Sequence, residues 1–412
     1  MKNLVLIFLI FVTFSSFSQI SSGNIENYIA NYIDNVPGNS GNDYADPNNS
    51  QLATWNTVID NLLANNLTNA RNFVNSLGYQ VTEFTDTSIS PNQIFYILEK
   101  KTSSSNYWGT YVFSKTPTRN NLIIQAPHIK YDTNTGKQAI FCFKNTLARA
   151  LFISGTHRCN SSSFSSCSGT TSTCGSGSQS YKKSDLAHNV TTMFQKTTEN
   201  LFTNISNSVF IQLHGFGKKS SDPYVIMSNG TRDTPATDYA SLIKNKLLNE
   251  DSSLTFQIAH INKSWTRLIG FTNTQGRLIN NSSNHCNTSA SSSTGRFIHI
   301  EQEKLKLRND SNGWTKMSNA LKSVFQSTLS IEKYNLNEVV SVSPNPTFDK
   351  VLISAKDVFQ IEVYNLLGQK VFQKKFNKVN NPIINFISQS KGIYFLKVKA
   401  GNGLALKKVI RL

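Results

Sequence analysis

The feature of this sequence that most restricts its fold is a set of five apolar runs of strand length, each ending in a polar side chain. Stretches with helical periodicity lie between several of these runs. Strands that alternate with helices predict an α/β layer structure, in which helices flank a mostly parallel or mixed sheet. The apolar runs begin at residues 122, 150, 209, 224 and 297, and the helical stretches occupy residues 51–77, 137–150, 186–204, 239–249 and 317–329.

The polar ends of these runs predict a functional site. In open α/β sheets, ligands bind beyond the carboxyl ends of the strands. A single histidine after a strand is more often structural than catalytic, but several polar ends at one edge favour a function. Together they offer imidazoles, a carboxylate and a fixed cation, which metal-assisted hydrolysis requires. The residues at this predicted edge are His128, His157, Arg158, His214, Asn229 and Glu301.

The order of these residues resembles that of N-formylglutamate amidohydrolase and, more remotely, of the zinc carboxypeptidases and aminoacylase-like deacylases. The resemblance covers roughly residues 120–305. It departs from the carboxypeptidases at the second ligand, because they use His-x-x-Glu, whereas Tyr131 follows His128 at that spacing and Asp132 comes one residue later. It implies a hydrolase-like, zinc-carboxypeptidase-like fold. The matching segments are Pro127-His128, Asp132, His157-Arg158, Leu213-His214-Gly215 and Ile300-Glu301.

This resemblance also implies roles for individual residues. His128, Asp132 and His214 would bind one Zn²⁺, which keeps an open position for water. Glu301 would act as the general base, and Arg158 would stabilise an oxyanion or hold a substrate carboxylate. The implied function is hydrolysis of an amide or C-terminal peptide bond in an acidic small molecule or peptide.

Other polar residues are candidates for substrate contacts. Arg232 and Arg277 lie in loop-like sequence and could clamp a second acidic group. Asn229 and His157 follow apolar runs at the predicted edge. Ser184-Asp185 is typical of a helix N-cap with an acidic first turn, and His188, one turn later, could point at the metal.

Two competing classes of function give different expectations. In a non-catalytic surface, adhesion or glycan-binding protein, the same strand-end residues would bind a glycan. A serine hydrolase or nucleotide-binding enzyme would need a G-x-S-x-G elbow, a P-loop or a dinucleotide fingerprint, and the sequence has none of these.

The net charge is +17, but residues 341–412 hold 12 Lys and Arg against 3 Asp and Glu, more than half of the excess. We therefore predict no nucleic-acid partner.

The cysteines predict a loop held by disulfides. Four of the five stand in polar, Ser/Thr/Gly-rich sequence and can form two disulfides with three possible pairings. Residues 160–180 contain almost nothing that could pack, so we expect a surface loop. Cys142 lies in an apolar helical stretch and is predicted to be a buried free thiol. The disulfide candidates are Cys159, Cys167, Cys174 and Cys286.

The two ends of the chain predict export. Residues 1–19 combine Lys2, an apolar core and small polar residues, which is typical of a signal peptide. We expect an α/β metallohydrolase-like domain over residues 20–330 with its core at 118–330, a linker at 331–340 and a small antiparallel β-sandwich at 341–412. No later apolar run approaches the roughly 18 residues needed to span a bilayer, so we predict no transmembrane segment.

The last segment resembles the C-terminal sorting domain of proteins exported by the type IX secretion system. The features that match are Ser343-Pro344-Asn345-Pro346, residues 363–371, residues 392–398 and the ending at 407–412. The resemblance implies that the secretion machinery is a partner and that the protein passes through the periplasm to be secreted or attached to the cell surface. A carbohydrate-binding or adhesive sandwich is the alternative for this segment.

Overall fold

The computed structural model describes residues 19–326, 340–400 and 403–412. They fall into two units, one within Met1–Thr328 and the other within Leu329–Leu412. The predicted signal peptide lies outside the described residues except for Gln19, and the predicted linker does so except for Val340. Both therefore stay predictions.

The first unit is built on a mixed ten-stranded sheet. The strands of this unit are β1 (Ile20–Gly23), β2 (Tyr79–Asp86), β3 (Gln93–Lys100), β4 (Thr110–Ser114), β5 (Arg119–Ala126), β6 (Ala148–Ile153), β7 (Thr170–Thr171), β8 (Gln179–Ser180), β9 (Val209–Gly215), β10 (Val225–Ser228), β11 (Phe256–Ile258) and β12 (Phe297–Gln302). The sheet order is β1-β2-β3-β4-β6-β5-β9-β12-β10-β11, and β7 and β8 form a separate ribbon. The predicted α/β class with a mixed sheet is confirmed.

Strand direction decides which strand ends meet. The central strands β6, β5, β9 and β12 run parallel, so their carboxyl ends lie at one edge of the sheet. The strands β2, β3 and β4 are antiparallel neighbours, and β10 pairs antiparallel with β12. The end of β10 therefore lies at the opposite edge from the ends of β9 and β12.

Helices cover both faces of the sheet. They are α1 (Ile25–Asn35), α2 (Asn49–Leu63), α3 (Leu67–Val74), α4 (Thr135–Thr146), α5 (Met193–Asn204), α6 (Tyr239–Glu250), α7 (Thr274–Ile279) and α8 (Ser311–Val324). On β5, Leu122 and Ile124 pack in one apolar cluster with α1, α4, α6 and α8. Ile123 between them packs in the other cluster with α2, α3, α5 and α7, because successive strand residues point to opposite faces. A strand buried on both faces has a continuous apolar sequence.

Several predicted helices differ from the observed ones in their bounds, and two of these differences have a clear local cause. The stretch 51–77 contains both α2 and α3, because Asn65 adopts a φ of 56° between them and Asn66 caps α3. The stretch predicted as a helix at 186–204 is helical only from Met193, where the Thr192 side chain accepts a hydrogen bond from Gln195 N–H. Residues 184–188 are therefore a loop, and the prediction that Ser184-Asp185 forms a helix N-cap with an acidic first turn is wrong.

The cysteines form two disulfides, as predicted, and the structure pairs them. Cys159 is joined to Cys174, and Cys167 is joined to Cys286. Both fasten the Ser-rich loop that follows β6. Cys142 is a buried free thiol on α4, as predicted. None of the helices in the described parts of the chain has both the length and the apolar character needed to cross a lipid bilayer.

The second unit is the predicted antiparallel β-structure. Its strands are β13 (Ser341–Ser343), β14 (Lys350–Ser354), β15 (Val358–Asn365), β16 (Lys370–Val379), β17 (Ile383–Asn385), β18 (Gly392–Ala400) and β19 (Gly403–Arg411). They form one sheet in the order β13-β14-β17 and another in the order β16-β15-β18-β19. Alternate residues of both sheets, such as Val351, Ile353, Leu396 and Val398, share one apolar core. This period-2 burial is typical of a small β-sandwich.

Candidate metal centre

Two parallel strands bring two distant histidines together. His128 follows β5 and His214 lies near the end of β9, and these strands pair in register up to Gln125 and Gln212. The imidazole rings of His128 and His214 are 4.8 Å apart between centroids. Both side chains are buried. The prediction that these two strand ends converge is therefore met by the structure.

Asp132 lies between the two imidazoles. Its Oδ2 is 3.4 Å from His128 Nδ1 and 3.2 Å from His214 Nδ1. The turn after β5 sets this position, since Asp132 N–H donates to His128 C=O at 2.8 Å. Gly215 N–H also donates to Oδ2, at 3.2 Å. One carboxylate and two ring nitrogens thus converge on one point at the edge of the sheet.

Electrostatics favour ionised Asp132 and uncharged His214. Burial would raise the pKa of Asp132, but its contacts with the imidazoles of His128 and His214 outweigh it and hold that pKa well below its usual value. Burial and the nearby His299 hold the pKa of His214 well below its ordinary value. An ionised carboxylate and a neutral imidazole are the forms that bind metals.

Asp185 also belongs to this group, although its sequence context predicts the acidic first turn of a helix. Its Oδ1 lies 2.8 Å from His128 Nε2 and 2.9 Å from His188 Nδ1, and its Oδ2 accepts two hydrogen bonds from Arg158, one of them from Nε at 2.9 Å. Burial would raise the pKa of Asp185, but Arg158, His188 and His128 hold it well below the usual range. The spacing of Asp185 and His188 was a signal for this contact, because a carboxylate three residues before a histidine can form a hydrogen bond with its ring.

Arg158 lies beside His128 at the edge of the group. Its Nη1 is 3.4 Å from His128 Nδ1, and its guanidinium stands 5.6 Å from the ring centroid of Tyr131. Burial and Arg158 both lower the pKa of His128, but Asp185 and Asp132 outweigh them and raise it. The cation and two carboxylates therefore form one buried network around His128.

Glu301 reaches the same edge on the next strand. It pairs in register with His214, so the two side chains leave the same face of the sheet. Glu301 is buried; its Oε1 lies 3.4 Å from His299 Nε2, and its Oε2 has no hydrogen-bond partner among the residues that the structure describes. The rings of His299 and His214 are 4.3 Å apart. A buried carboxylate oxygen without a partner is unfavourable, so Oε2 is available to accept a proton or a hydrogen bond from a bound molecule.

His188 and His157 lie next to the group. His188 stacks on Tyr181 with 3.7 Å between ring centroids. Burial lowers the pKa of His188 to about 4, despite the opposite effect of Asp185, so the ring is neutral at pH 7. His157 Nδ1 accepts a hydrogen bond from Cys159 N–H, and its ring meets Tyr131 edge-on at 5.6 Å. Part of each ring is exposed.

The structure does not bring three of the predicted substrate residues to this edge. Asn229 follows β10, whose antiparallel direction puts it at the other end of β12, where its Oδ1 accepts from Thr231 N–H. Arg232 donates to Ala259 C=O at 2.6 Å and to Trp265 C=O at 2.7 Å.

Arg277 is likewise committed to backbone contacts. It donates to the carbonyls of Phe271 and Cys286 and is buried. The clamp predicted from Arg232 and Arg277 is therefore wrong, because both guanidinium groups fasten loops. Arg158, the arginine predicted to act in catalysis, does contact the group.

Within the described residues, two sets of side chains have the composition and spacing of a metal site. They are His128 with Asp132 and His214, and His128 with Asp185 and His188, with ligand atoms within 4.8 Å of one another. The second set is the poorer cation site, because Arg158 already neutralises Asp185. In the first set, no Lys or Arg of the described residues forms an ion pair with Asp132, so this set is the candidate metal centre.

Comparison with known proteins identifies the end of the chain. Residues 341–411 match the profile of the secretion system C-terminal sorting domain. The chain is thus a secreted or cell-surface protein, and its sorting domain implies contact with the type IX secretion machinery. The basic excess of residues 341–412 belongs to this domain.

The other comparisons give little or no similarity. No curated protein matches the sequence. One solved structure, a "Putative carboxypeptidase A" from Shewanella denitrificans, is similar with 12% sequence identity and a TM-score of 0.29. The match covers 53% of this chain and 61% of that one. A score of this size is too low to support a conclusion about activity.

Proposed function

We propose that this secreted protein is a metal-dependent hydrolase of amide or C-terminal peptide bonds, with one Zn²⁺ bound by His128, Asp132 and His214. The observation that carries the proposal is the convergence of two buried imidazole nitrogens on one ionised carboxylate oxygen. All three atoms can donate a lone pair to a cation when both imidazoles are neutral, and a set of this kind binds metal ions.

The ligand set fits a catalytic rather than a structural zinc. Catalytic sites have three protein ligands of nitrogen and oxygen type, whereas structural sites have four, usually with cysteines. The nitrogen of His128 that faces away from Asp132 meets Asp185, at 2.8 Å. Zinc-binding histidines commonly have such an outer partner, which orients the ring. When bound, the ion would supply an activated water at neutral pH.

Glu301 supplies the proton transfer in this proposal. Its Oε2 is buried and unpartnered on the strand next to His214. It would take a proton from the attacking water and return it to the leaving amine, a role that contributes roughly 10²–10⁴-fold in rate.

Arg158 supplies positive charge beside the group. It lies 3.4 Å from His128 and is held by Asp185, so its position is fixed before the substrate arrives. Fixed cations stabilise negative charge that develops in a transition state. The same guanidinium would bind an acidic group of the substrate, and His188 and His157 would line the adjoining surface.

Elemental analysis of the purified protein tests the metal. We expect one zinc ion per chain, lost in His128→Ala and in His214→Ala. The matched control is His260→Ala, since His260 is also buried but pairs with Asp238 instead. A wild-type protein without bound metal, or zinc retained in both ligand variants, would contradict the proposal.

A metal-free protein that binds glycans would support the non-catalytic alternative. A screen of N-acyl amino acids and short peptides then tests the reaction.

A further inference from the structure

Gln212 is the outer partner of His214. It lies two residues earlier on the same face of β9 and is fully buried. Its Oε1 is 2.8 Å from His214 Nε2. A carboxamide can turn either its oxygen or its NH₂ group towards a neighbour, and the choice decides which ring nitrogen of the histidine carries the proton. The contacts of Gln212 with other side chains determine that choice.

The first of these contacts runs through Gln125 on β5. The hydroxyl of Thr198 donates to Phe194 C=O at 2.8 Å, so its oxygen accepts from Gln125 Nε2 at 2.9 Å. Gln125 therefore turns Oε1 towards Gln212 and accepts from its Nε2 at 3.0 Å. A backbone carbonyl can only accept, so this chain of hydrogen bonds has one direction.

Two further contacts require the same orientation. Gln275 Nε2 donates to Leu186 C=O at 2.9 Å, which leaves its Oε1 to accept from Gln212 Nε2 at 3.1 Å. Asn273 Oδ1 accepts from Gly276 N–H at 2.9 Å at the start of α7, so its Nδ2 donates to Gln212 Oε1. All three contacts end on backbone groups whose donor or acceptor character is fixed.

We infer that Gln212 is a positioning residue that holds His214 in the tautomer protonated at Nε2. Because Gln212 Oε1 must accept, His214 Nε2 must donate, and the lone pair of Nδ1 is directed at Asp132 Oδ2, 3.2 Å away. This inference rests on the proposed function, since the lone pair that remains on Nδ1 of His214 is the one that would bind zinc. Asp185 has the corresponding contact with His128.

The segment 185–186 is connected to both imidazoles. Asp185 contacts His128 directly, and Leu186 C=O fixes Gln275, which fixes Gln212 and so His214. Asn273 and Gln275, at the start of α7, thus support a metal ligand. Outer partners of this kind affect metal affinity by about 10–100-fold.

Gln212→Met and its matched control Gln125→Met test this inference. Both glutamines are fully buried, both lie on the same face and they bond to each other. Of the two, only Gln212 contacts His214, and Gln125→Met leaves the orienting contacts of Gln212 with Gln275 and Asn273 in place. We expect both variants to lose thermal stability, whereas zinc affinity, measured by competition with a chelator, falls about 10–100-fold in Gln212→Met and stays within about threefold in Gln125→Met. Equal loss of affinity in both, or none in Gln212→Met, would overturn the inference.

A second readout separates this inference from the proposed function. Nitrogen-15 NMR of histidine-labelled, metal-free protein at pH 8 reports which ring nitrogen carries the proton. We expect Nε2–H for His214 in wild type and in Gln125→Met, and a mixed or Nδ1–H population in Gln212→Met. Unchanged tautomer in Gln212→Met would overturn the inference even if zinc binds. A wild-type protein that binds no zinc but shows this tautomer pattern would instead contradict the proposed function.

Discussion

Asp132 and His214 are 82 residues apart in the sequence, yet Asp132 Oδ2 lies 3.2 Å from His214 Nδ1. The contact exists because β5 and β9 are parallel neighbours, so a turn after one reaches the end of the other. The geometry leaves a carboxylate facing a neutral imidazole, with no proton needed between them if a cation is bound.

Replacing Asp132 with Asn should therefore remove zinc without unfolding the protein. We expect the affinity to fall by more than the roughly 100-fold upper range for outer partners, because a direct ligand is lost. Isothermal titration calorimetry measures it, with circular dichroism to confirm the fold. The control is Asp222→Asn, which removes a buried carboxylate paired with Arg267. Stoichiometric, tight zinc in Asp132→Asn would exclude this residue as a ligand.

Glu301→Gln should keep zinc and lose turnover. The amide preserves shape but cannot accept the water proton, so kcat should fall by about 10²–10⁴-fold. Glu303→Gln is the matched control, because Glu303 accepts from Leu305 N–H and Lys306 N–H instead. Equal rates for Glu301→Gln and wild type would remove Glu301 from the mechanism.

Asp185→Asn should destabilise the fold. The change leaves the guanidinium of Arg158, 11% exposed, without its carboxylate, and breaking a buried pair costs about 3–5 kcal/mol. Urea unfolding measures the loss. The exposed pair of Lys196 and Glu199 provides the comparison; Glu199→Gln should change stability by less than about 1 kcal/mol. Similar small effects in both variants would show that the network around Asp185 is not stabilising.

The two disulfides should differ in their contribution to stability. Cys159 and Cys174 are 15 residues apart, and Cys167 and Cys286 are 119 apart. A cross-link restricts the unfolded chain more when its loop is longer, so the losses should be about 3 kcal/mol and about 4.7 kcal/mol. Urea unfolding of the two double Cys→Ser variants measures both, and the reverse order would contradict the entropic explanation.

Asp238 should make stability dependent on acid pH. Although burial opposes it, hydrogen bonds from His260 and Ser241 lower the pKa of Asp238 from 3.8 to about 2. A depressed pKa stabilises the fold above the ordinary value and stops doing so as pH falls through 2. Wild type should thus exceed Asp238→Asn in stability at pH 6, with the difference shrinking between about pH 4 and 2. A pH-independent difference in urea unfolding would contradict this.

Sequence patterns predicted the strand ends at His128, His214 and Glu301 because an apolar run followed by a polar residue is a local signal. They failed for Asn229 because the direction of β10 depends on its partner strand, not on its own residues. The predicted substrate clamp of Arg232 and Arg277 was wrong for a related reason, since the backbone carbonyls that these side chains contact cannot be identified from the local sequence. Asp185 resembled a helix cap, and only the folded chain shows that its carboxylate contacts His128.

The disulfide bridge between Cys159 and Cys174 has a consequence for when the protein matures. Cys159 directly follows Arg158, so the bridge closes the loop immediately beside that guanidinium. Disulfides form in oxidising compartments and are rare in the cytosol. A newly made chain would carry this loop unfastened in the cytosol, and the bridge beside Arg158 would form only after the chain has left that compartment.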